Sequence, residues 1–422
     1  MKQPTIRARR AHSAQLILVT PGTVQSPDQS PALEHRVSLE TFCSAEAMVG
    51  IKRPEHPVHC LRTHTIKRAA TWFLNHFPGR VMYAVKTNPE PLALAAVYDA
   101  GVRDFDVASL AEVRAVAERF PGVRLFFMHP VKSREAIHAA YFEHGIRDFS
   151  LDSMDELAKI LEVTEHATDL NLYVRLAMNS EGAAYSLAGK FGVSMSDAPA
   201  LLQATRAVSE KLGLCFHVGS QCMEPQAYSI AMAKASQLVA DSGVKVDVLD
   251  IGGGFPSIYP GLTPPPLSDY MSAIKQALKK HPAFDTCQIL CEPGRALVAE
   301  GGSVVVRVEA RKGNMLYLND GTYGTLFDAG VPGFVYPVKA IRPGGTLSSE
   351  QAEFGFFGPT CDSMDAMKGP FHLPVDIAEG DWIEIGQLGA YGATMRTNFN
   401  GFYSDETVEL ADKPMMSIFG IN

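Results

Sequence analysis

The 422-residue sequence has no run of 18 or more apolar residues, so it offers no segment that reads as a membrane-spanning helix. It has no Gly-Lys-Ser/Thr phosphate loop and no GxGxxG fingerprint, which argues against the common nucleotide-binding turns. Positive charge is in short supply. The 38 Lys and Arg stand against 46 Asp and Glu, a net charge of −8, so nothing draws the chain in bulk to nucleic acid or anionic lipid. Cysteines are few and odd in number, seven in all: Cys43, Cys60, Cys215, Cys222, Cys287, Cys291 and Cys361. Such a set in a long chain predicts free thiols in a reducing, cytoplasmic setting rather than a disulfide framework. Residues 1–10 are basic but lack an apolar core, and are expected to form a solvated tail rather than a targeting segment. There is no low-complexity tract and no strong internal repeat. What is present, 46% hydrophobic and 20% charged residues, is the balance of a globular protein with a large core.

The chain divides into three stretches. Residues 1–57 carry scattered prolines and a β-like run at 15–19, and are expected to form an N-terminal extension with strands of a β domain. From about residue 80, β-branched or aromatic runs alternate with amphipathic stretches. The runs fall at 81–86, 104–109, 125–130, 148–152, 171–176, 214–219, 248–252 and 288–292. Two of the intervening stretches open with capping boxes, Ser109 with Glu112 and Ser153 with Glu156. Eight strand–helix units predict an α/β architecture, a (β/α)8 barrel over 58–298, with the doubly wound sheet as the alternative. The remaining 299–422 reads as an all-β domain completed by N-terminal strands, with β-like runs at 303–309, 315–319 and 382–385.

A barrel requires its chemistry at the C-terminal ends of the strands. The polar residues that stand out fall there: Lys86, Asp106, His129, Arg175, His217, Gly252 to Gly254 and Glu292. Lys86 closes an apolar run. Desolvation at the barrel mouth lowers a lysine's pKa and makes it a Schiff-base nucleophile, while the plain alternative is a lysine snorkelling to solvent. Three glycines after the seventh strand let backbone N–H groups approach a phosphate, or simply make a tight turn. Glu292 either holds a ring nitrogen protonated or pairs with a base such as Arg295. His217 either stacks on a ring or is a satisfied core histidine. Cys361, beside Asp362 in a Gly/Pro-bounded loop, is either a buried structural thiol or a reactive acid. The group His56, His59, Cys60 and His64 lacks a second ligand pair and straddles an expected strand, so no metal site is expected.

Together these features are more specific than any one alone. The stretches are Tyr83-Ala84-Val85-Lys86-Thr87-Asn88-Pro89, Phe105-Asp106-Val107-Ala108-Ser109, Phe216-His217-Val218-Gly219-Ser220, Gly252-Gly253-Gly254-Phe255-Pro256, Glu292-Pro293-Gly294-Arg295, Gly358-Pro359-Thr360-Cys361-Asp362 and Gly389-Ala390-Tyr391-Gly392. From about residue 80 to 405 the chain resembles the barrel-fold pyridoxal-phosphate decarboxylases of basic amino acids, most closely the ornithine and bacterial lysine/ornithine decarboxylases. The resemblance implies a homodimer with active sites shared between subunits, pyridoxal 5'-phosphate as cofactor, and L-ornithine as substrate with L-lysine as a second. It implies that Lys86 bonds the cofactor and that His217 stacks on its ring. It implies that Ser220, Gly252, Gly253, Gly254, Arg295 and Tyr391 hold the phosphate. Glu292 then pairs with the ring nitrogen, and Asp106 and Arg175 support the cofactor's setting. Cys361 returns the proton, from the partner subunit. Asp328 and Asp362 meet the distal amine, and Lys190 pairs with Asp365 across the interface. The segment 324–330, which helps set substrate length, is closer to the bacterial form than to the animal one.

Three competing readings share some of these features. A diaminopimelate decarboxylase calls for a glutamate after the cysteine, where this chain has Asp362. An amino-acid racemase calls for a tyrosine base and gives no reason for the Cys361 loop. A non-catalytic regulator predicts loss of the lysine, the glycines or the cysteine, all of which are present.

Overall fold

A computed structural model describes residues 39–178, 183–185 and 189–420, and the run at 15–19 lies outside them. Eight parallel strands close into a barrel: Arg80–Ala84, Asp104–Val107, Arg124–Phe127, Asp148–Leu151, Asn171–Arg175, Lys211–Cys215, Val248–Asp250 and Gln288–Cys291. The ring shuts where Leu290 and Cys291 of the last strand register with Arg80 and Val81 of the first. All eight expected runs are these strands. Each run overshoots its strand at the C-terminal end, because the residues that close it already belong to turns at the barrel mouth. Lys86, for instance, sits in the single-turn helix Val85–Thr87.

Side-chain alternation builds two layers. Met82, Phe126, Tyr173, Cys215, Val248 and Leu290 point inward and fill the barrel, while their neighbours pack under the helices. Tyr173 fits because Gly213 faces it on the next strand, where a Cβ would lie 2.2 Å from its ring. The N-terminal end is closed by polar residues: Arg124 holds Asp148 through Nε at 2.8 Å and Nη2 at 2.7 Å, and the Tyr173 hydroxyl donates to the same carboxylate at 2.9 Å. Ser109 caps Leu110–Ala117 and Ser153 caps Met154–Val163, each hydroxyl accepting from the glutamate N–H three residues on. Neither box closes as expected. The Glu112 carboxylate accepts from Ala108 rather than from the cap residue, and Glu156 turns to the buried Lys132, 2.9 Å away.

The second domain is a nine-stranded sheet. Its longest strand, Gly302–Lys312, leaves the barrel directly after the turn Ala299–Gly301. It pairs with Met315–Leu318, Trp382–Ile385 and Val58–Leu61. Val58–Leu61 in turn joins Thr407–Leu410, which pairs with Thr41–Phe42. The β domain is therefore completed by N-terminal strands, as expected. The boundary at 58 moves, however: residues 58–61 belong to the sheet, and the first barrel strand begins at Arg80. The reason is burial on both faces of Val58–Leu61, which makes its sequence read like a barrel strand. Among the described residues, no helix is long and apolar enough to cross a membrane.

His59 straps the two domains together. It is buried, with Nε2 3.0 Å from the carbonyl of Ser404 and 2.6 Å from Nη1 of Arg396. Nη2 of Arg396 reaches Glu90, four residues past Lys86, at 2.9 Å. Burial, and then the Arg396 charge, depress the His59 pKa from 6.5 to about 4, with Ser404 and Asp405 opposing. Between those two values the unfolded chain binds a proton that the fold refuses, so stability falls as the pH drops through that window. We expect wild-type protein to lose about 2 kcal/mol more than His59→Gln between about pH 7 and pH 5. Urea unfolding at the two pH values measures the difference, and parallel losses would show that His59 is not a titrating strap.

Candidate active site

The barrel mouth concentrates charge. The Lys86 ammonium donates to Asp106 Oδ2 at 2.8 Å, and Asp106 is buried with its Oδ1 unpartnered. Glu292 and Asp250 lie buried beside this pair, at the ends of the eighth and seventh strands. Burial raises the Glu292 carboxyl well above its usual range, and the negative neighbours Asp250 and Asp106 raise it further. Asp250 is raised to about 6, chiefly by burial, although it accepts from the Gly252 N–H at 2.9 Å. For Lys86, burial works against the charge, but Asp106 and Glu292 outweigh it and the pKa rises. This corrects the expectation that desolvation lowers it: a lysine ringed by carboxylates is held as the ammonium.

His217 follows the sixth strand, where burial and then the Arg175 charge depress its pKa to about 3. Its Nδ1 accepts from the Gly219 N–H at 3.0 Å, so the neutral ring carries its hydrogen on Nε2. Gly252 and Gly254 have φ of +70° and +98°, so the tight turn expected of the glycines is present. Between them, Gly253 comes closest to the imidazole, and a Cβ there would lie 3.1 Å from His217 Nε2. Arg175 ends the fifth strand, its guanidinium carbon 5.6 Å from the centre of the Phe191 ring.

Arg295 is buried on the far side of the glycine turn. It donates to the Tyr259 hydroxyl at 2.9 Å, to Asp328 at 3.1 Å and to Ser220 Oγ at 3.5 Å, leaving Nε without a partner. The Tyr391 ring is centred 5.0 Å from the guanidinium carbon. Tyr391 has a φ of +58°, and its N–H donates to the carbonyl of Thr87 at 3.0 Å, so it is tied to the segment that carries Lys86. Asp328 is thus engaged by Arg295.

Cys361 is exposed and Asp362 half-buried on a loop of the β domain. The N–H and thiol of Cys361 both face the side-chain oxygen of Asn400. Asp362 accepts from the Tyr323 hydroxyl and, at 3.0 Å, from the Met364 N–H, and these contacts lower its pKa. Cys361 is therefore not a buried structural thiol. Asp365 is only 2% exposed. Its carboxylate accepts from the N–H groups of Thr322 and Thr360 and from the Thr360 hydroxyl. Within this chain Asp365 ties its own loop together, and Lys190 is exposed; the pair expected of them is one between subunits.

The structure therefore gathers Lys86, Asp106, Arg175, His217 and Glu292 at one end, and Ser220, Gly252 to Gly254, Arg295 and Tyr391 at the other. Sequence reasoning missed Asp250, Tyr259, Tyr323 and Asn400. Asp250 left a signal, an acid inside an apolar strand two residues before the glycines. The tyrosines and Asn400 left none, because they reach the site through tertiary packing.

Comparison with known proteins follows this geometry. Residues 63–299 match the family model described as pyridoxal-dependent decarboxylase, pyridoxal binding domain. The chain is 30% identical to a lysine/ornithine decarboxylase of Selenomonas ruminantium, over 80% of this chain and 86% of that protein. It is 31% identical to an ornithine decarboxylase of Schizosaccharomyces pombe, over 78% of this chain and 77% of that protein. Among solved structures, a mutant of the decarboxylase SrLDC in complex with PLP superposes with a TM-score of 0.77 at 28% identity, covering 89% of this chain and 97% of that one. A closed barrel with its charge gathered at the mouth, matched over most of its length by such relatives, makes this chain a member of the pyridoxal-dependent decarboxylase family, with pyridoxal phosphate as its cofactor.

Proposed function

We propose that the chain decarboxylates L-ornithine to putrescine and CO2, and L-lysine to cadaverine as a second reaction. One observation supports the reaction type: Glu292 is a carboxyl buried at the barrel mouth beside Asp250, a group suited to keeping a ring nitrogen protonated. The ornithine and lysine/ornithine decarboxylases among its relatives support the substrate class.

The residues present fit the cofactor. Asp106 Oδ1 and Asp250 Oδ2 are buried acceptors without a partner, and Arg295 Nε is a buried donor without one. Spare acceptors at one end and a spare donor at the other complement a ring N–H and a phosphate. When bound, pyridoxal phosphate supplies an aldehyde that condenses with amines and a ring that takes up the electron pair left by CO2. Arg295, Ser220 and the N–H groups of the glycine turn bind the phosphate. The neutral His217 offers a flat face without adding charge. Glu292 would face the ring nitrogen, its proton passing to that nitrogen, and the carboxylate left behind would accept the resulting N–H. Asp106 holds the Lys86 ammonium and is the nearest acceptor when that nitrogen must lose a proton. Asp362, held ionised by its two donors, suits the distal ammonium of the substrate. Cys361 supplies the proton that completes the amine product.

We also propose a homodimer with shared sites. Two apolar patches support it. One surrounds the Cys361 loop, with Met364, Phe399, Phe402 and Tyr403 exposed. The other follows barrel strands three to five, with Val131, Met154 and Met195 exposed. A two-fold pairing buries each patch against the other, because a symmetric dimer repeats every contact. The seven free cysteines support a reducing, cytoplasmic setting.

Release of CO2 and amine by protein loaded with pyridoxal phosphate tests the substrate. We expect kcat/KM for L-ornithine to exceed that for L-lysine by less than about 200-fold, the reach of one methylene. Arginine and meso-diaminopimelate should not turn over, and turnover of either in preference to ornithine would overturn the assignment. Lys86→Ala should release no CO2, and Cys361→Ala should lose most of its amine formation. Mixed after subunit exchange, they should recover about a quarter of wild-type activity, since half the dimers then hold one intact site. No recovery, with exchange shown by a mass tag, would refute shared sites.

A further inference from the structure

We propose that Asn400 is a positioning residue that holds the Cys361 thiol as a protonated donor. The proposal rests on the reading that Cys361 returns the proton. The Asn400 side-chain oxygen accepts twice from one residue, from the Cys361 N–H at 3.3 Å and from its Sγ–H at 3.4 Å. Both neighbouring groups are donors, so the oxygen of the amide, with its two lone pairs, must be the atom that faces them.

The position selects asparagine twice. Its backbone lies at φ 55° and ψ 8°, a left-handed conformation that asparagine tolerates better than most residues. Its side chain offers a neutral acceptor. A neutral oxygen that accepts from S–H fixes the direction of the thiol without placing a charge beside it. It also occupies the Cys361 N–H, which could otherwise stabilise a thiolate.

The support beneath Asn400 is firm. The Thr397 N–H and hydroxyl both donate to the Tyr323 carbonyl, at 2.9 and 3.0 Å. The Phe399 ring packs 5.0 Å from the Tyr323 ring, and the Tyr323 hydroxyl holds Asp362. Two adjacent loop residues, Cys361 and Asp362, are therefore gripped from two segments that are bolted to each other. In the proton transfer the S–H bond breaks and a C–H bond forms with the electron pair left by CO2. The thiolate then takes a proton from water, and the Asn400 oxygen again receives an S–H.

The test uses full-length protein loaded with pyridoxal phosphate, in the variants Asn400→Gly, Asn400→Asp and Cys361→Ala. Asn400→Gly keeps the left-handed backbone and removes the acceptor. Asn400→Asp keeps the acceptor and adds a charge that opposes thiolate formation. Two readouts are taken: alkylation of Cys361 by iodoacetamide, followed by peptide mass, and the partition of ornithine turnover between amine and abortive transamination. We expect alkylation severalfold faster than wild type in Asn400→Gly and about tenfold slower in Asn400→Asp. We also expect Asn400→Gly to divert turnover toward transamination, in the direction of Cys361→Ala. Unchanged alkylation in both variants overturns the hydrogen bond. Diversion in Cys361→Ala without diversion in Asn400→Gly overturns the positioning role. Shifted alkylation with wild-type partition in all variants keeps the contact and overturns Cys361 as the proton donor.

Discussion

Three buried carboxylates around one lysine set the terms for the rest of the molecule. Asp106, Asp250 and Glu292 cannot all be ionised in a desolvated site with Lys86 as their near cation, so a proton stays on Glu292 and Asp250 titrates at about 6. Such a cluster is tolerable only if a scaffold holds it rigidly. The barrel does this by adjacency. Glu292 closes the eighth strand, Lys86 follows the first, Asp106 is on the second and Asp250 ends the seventh, so the four come from consecutive neighbours around the ring. The opposite arc supplies Arg175 and the uncharged His217, from the fifth and sixth strands.

The β domain enters through ties to the segment that carries Lys86. The segment just after Lys86 gives its Thr87 carbonyl to the Tyr391 N–H and its Asn88 amide to the Gly389 carbonyl, and its Glu90 carboxylate takes Arg396. Arg396 continues to His59 on the strand shared with the long sheet strand Gly302–Lys312. A movement of the Tyr391 loop therefore pulls on the lysine segment directly. Asp328 plays a comparable part beside Arg295. It neutralises Arg295 within the chain, so an arriving dianion needs the N–H groups of the glycine turn as well as this one guanidinium.

Much of this was legible in the sequence, and the reasons differ by residue. The eight strands were visible because a barrel strand is apolar on both faces and stops at a polar or glycine residue. The boundary at 58 was misplaced, because 58–61 lies outside those eight runs and is an inner strand of the large sheet, buried on both faces. Lys86, Glu292 and the glycines could be located because strand ends are where barrels keep chemistry. The direction of the Lys86 shift could not, since burial and carboxylates act in opposite senses and only geometry gives their balance. The bonds of Asp365 within its own loop were likewise out of reach of the sequence, because Thr322, one of its partners, lies 43 residues away. Tyr259, Tyr323 and Asn400 serve the site from distant parts of the sequence with no local pattern, so nothing in the sequence pointed to them.

The position of the Cys361 loop joins chemistry to assembly. Asp362 is only half-buried, and a carboxylate–ammonium pair at 4 Å is worth about 1 kcal/mol in bulk water but several times that at a lower effective dielectric. A donor thiol open to bulk solvent also competes with water for every proton it delivers. Both residues gain only when something covers them, and the exposed apolar ring of Met364, Phe399, Phe402 and Tyr403 shows where a cover would seat. If that cover is the barrel mouth of a second copy, the surface that drives assembly is also the one that dries the site. Mutations in the apolar ring would then act on catalysis without touching substrate or cofactor.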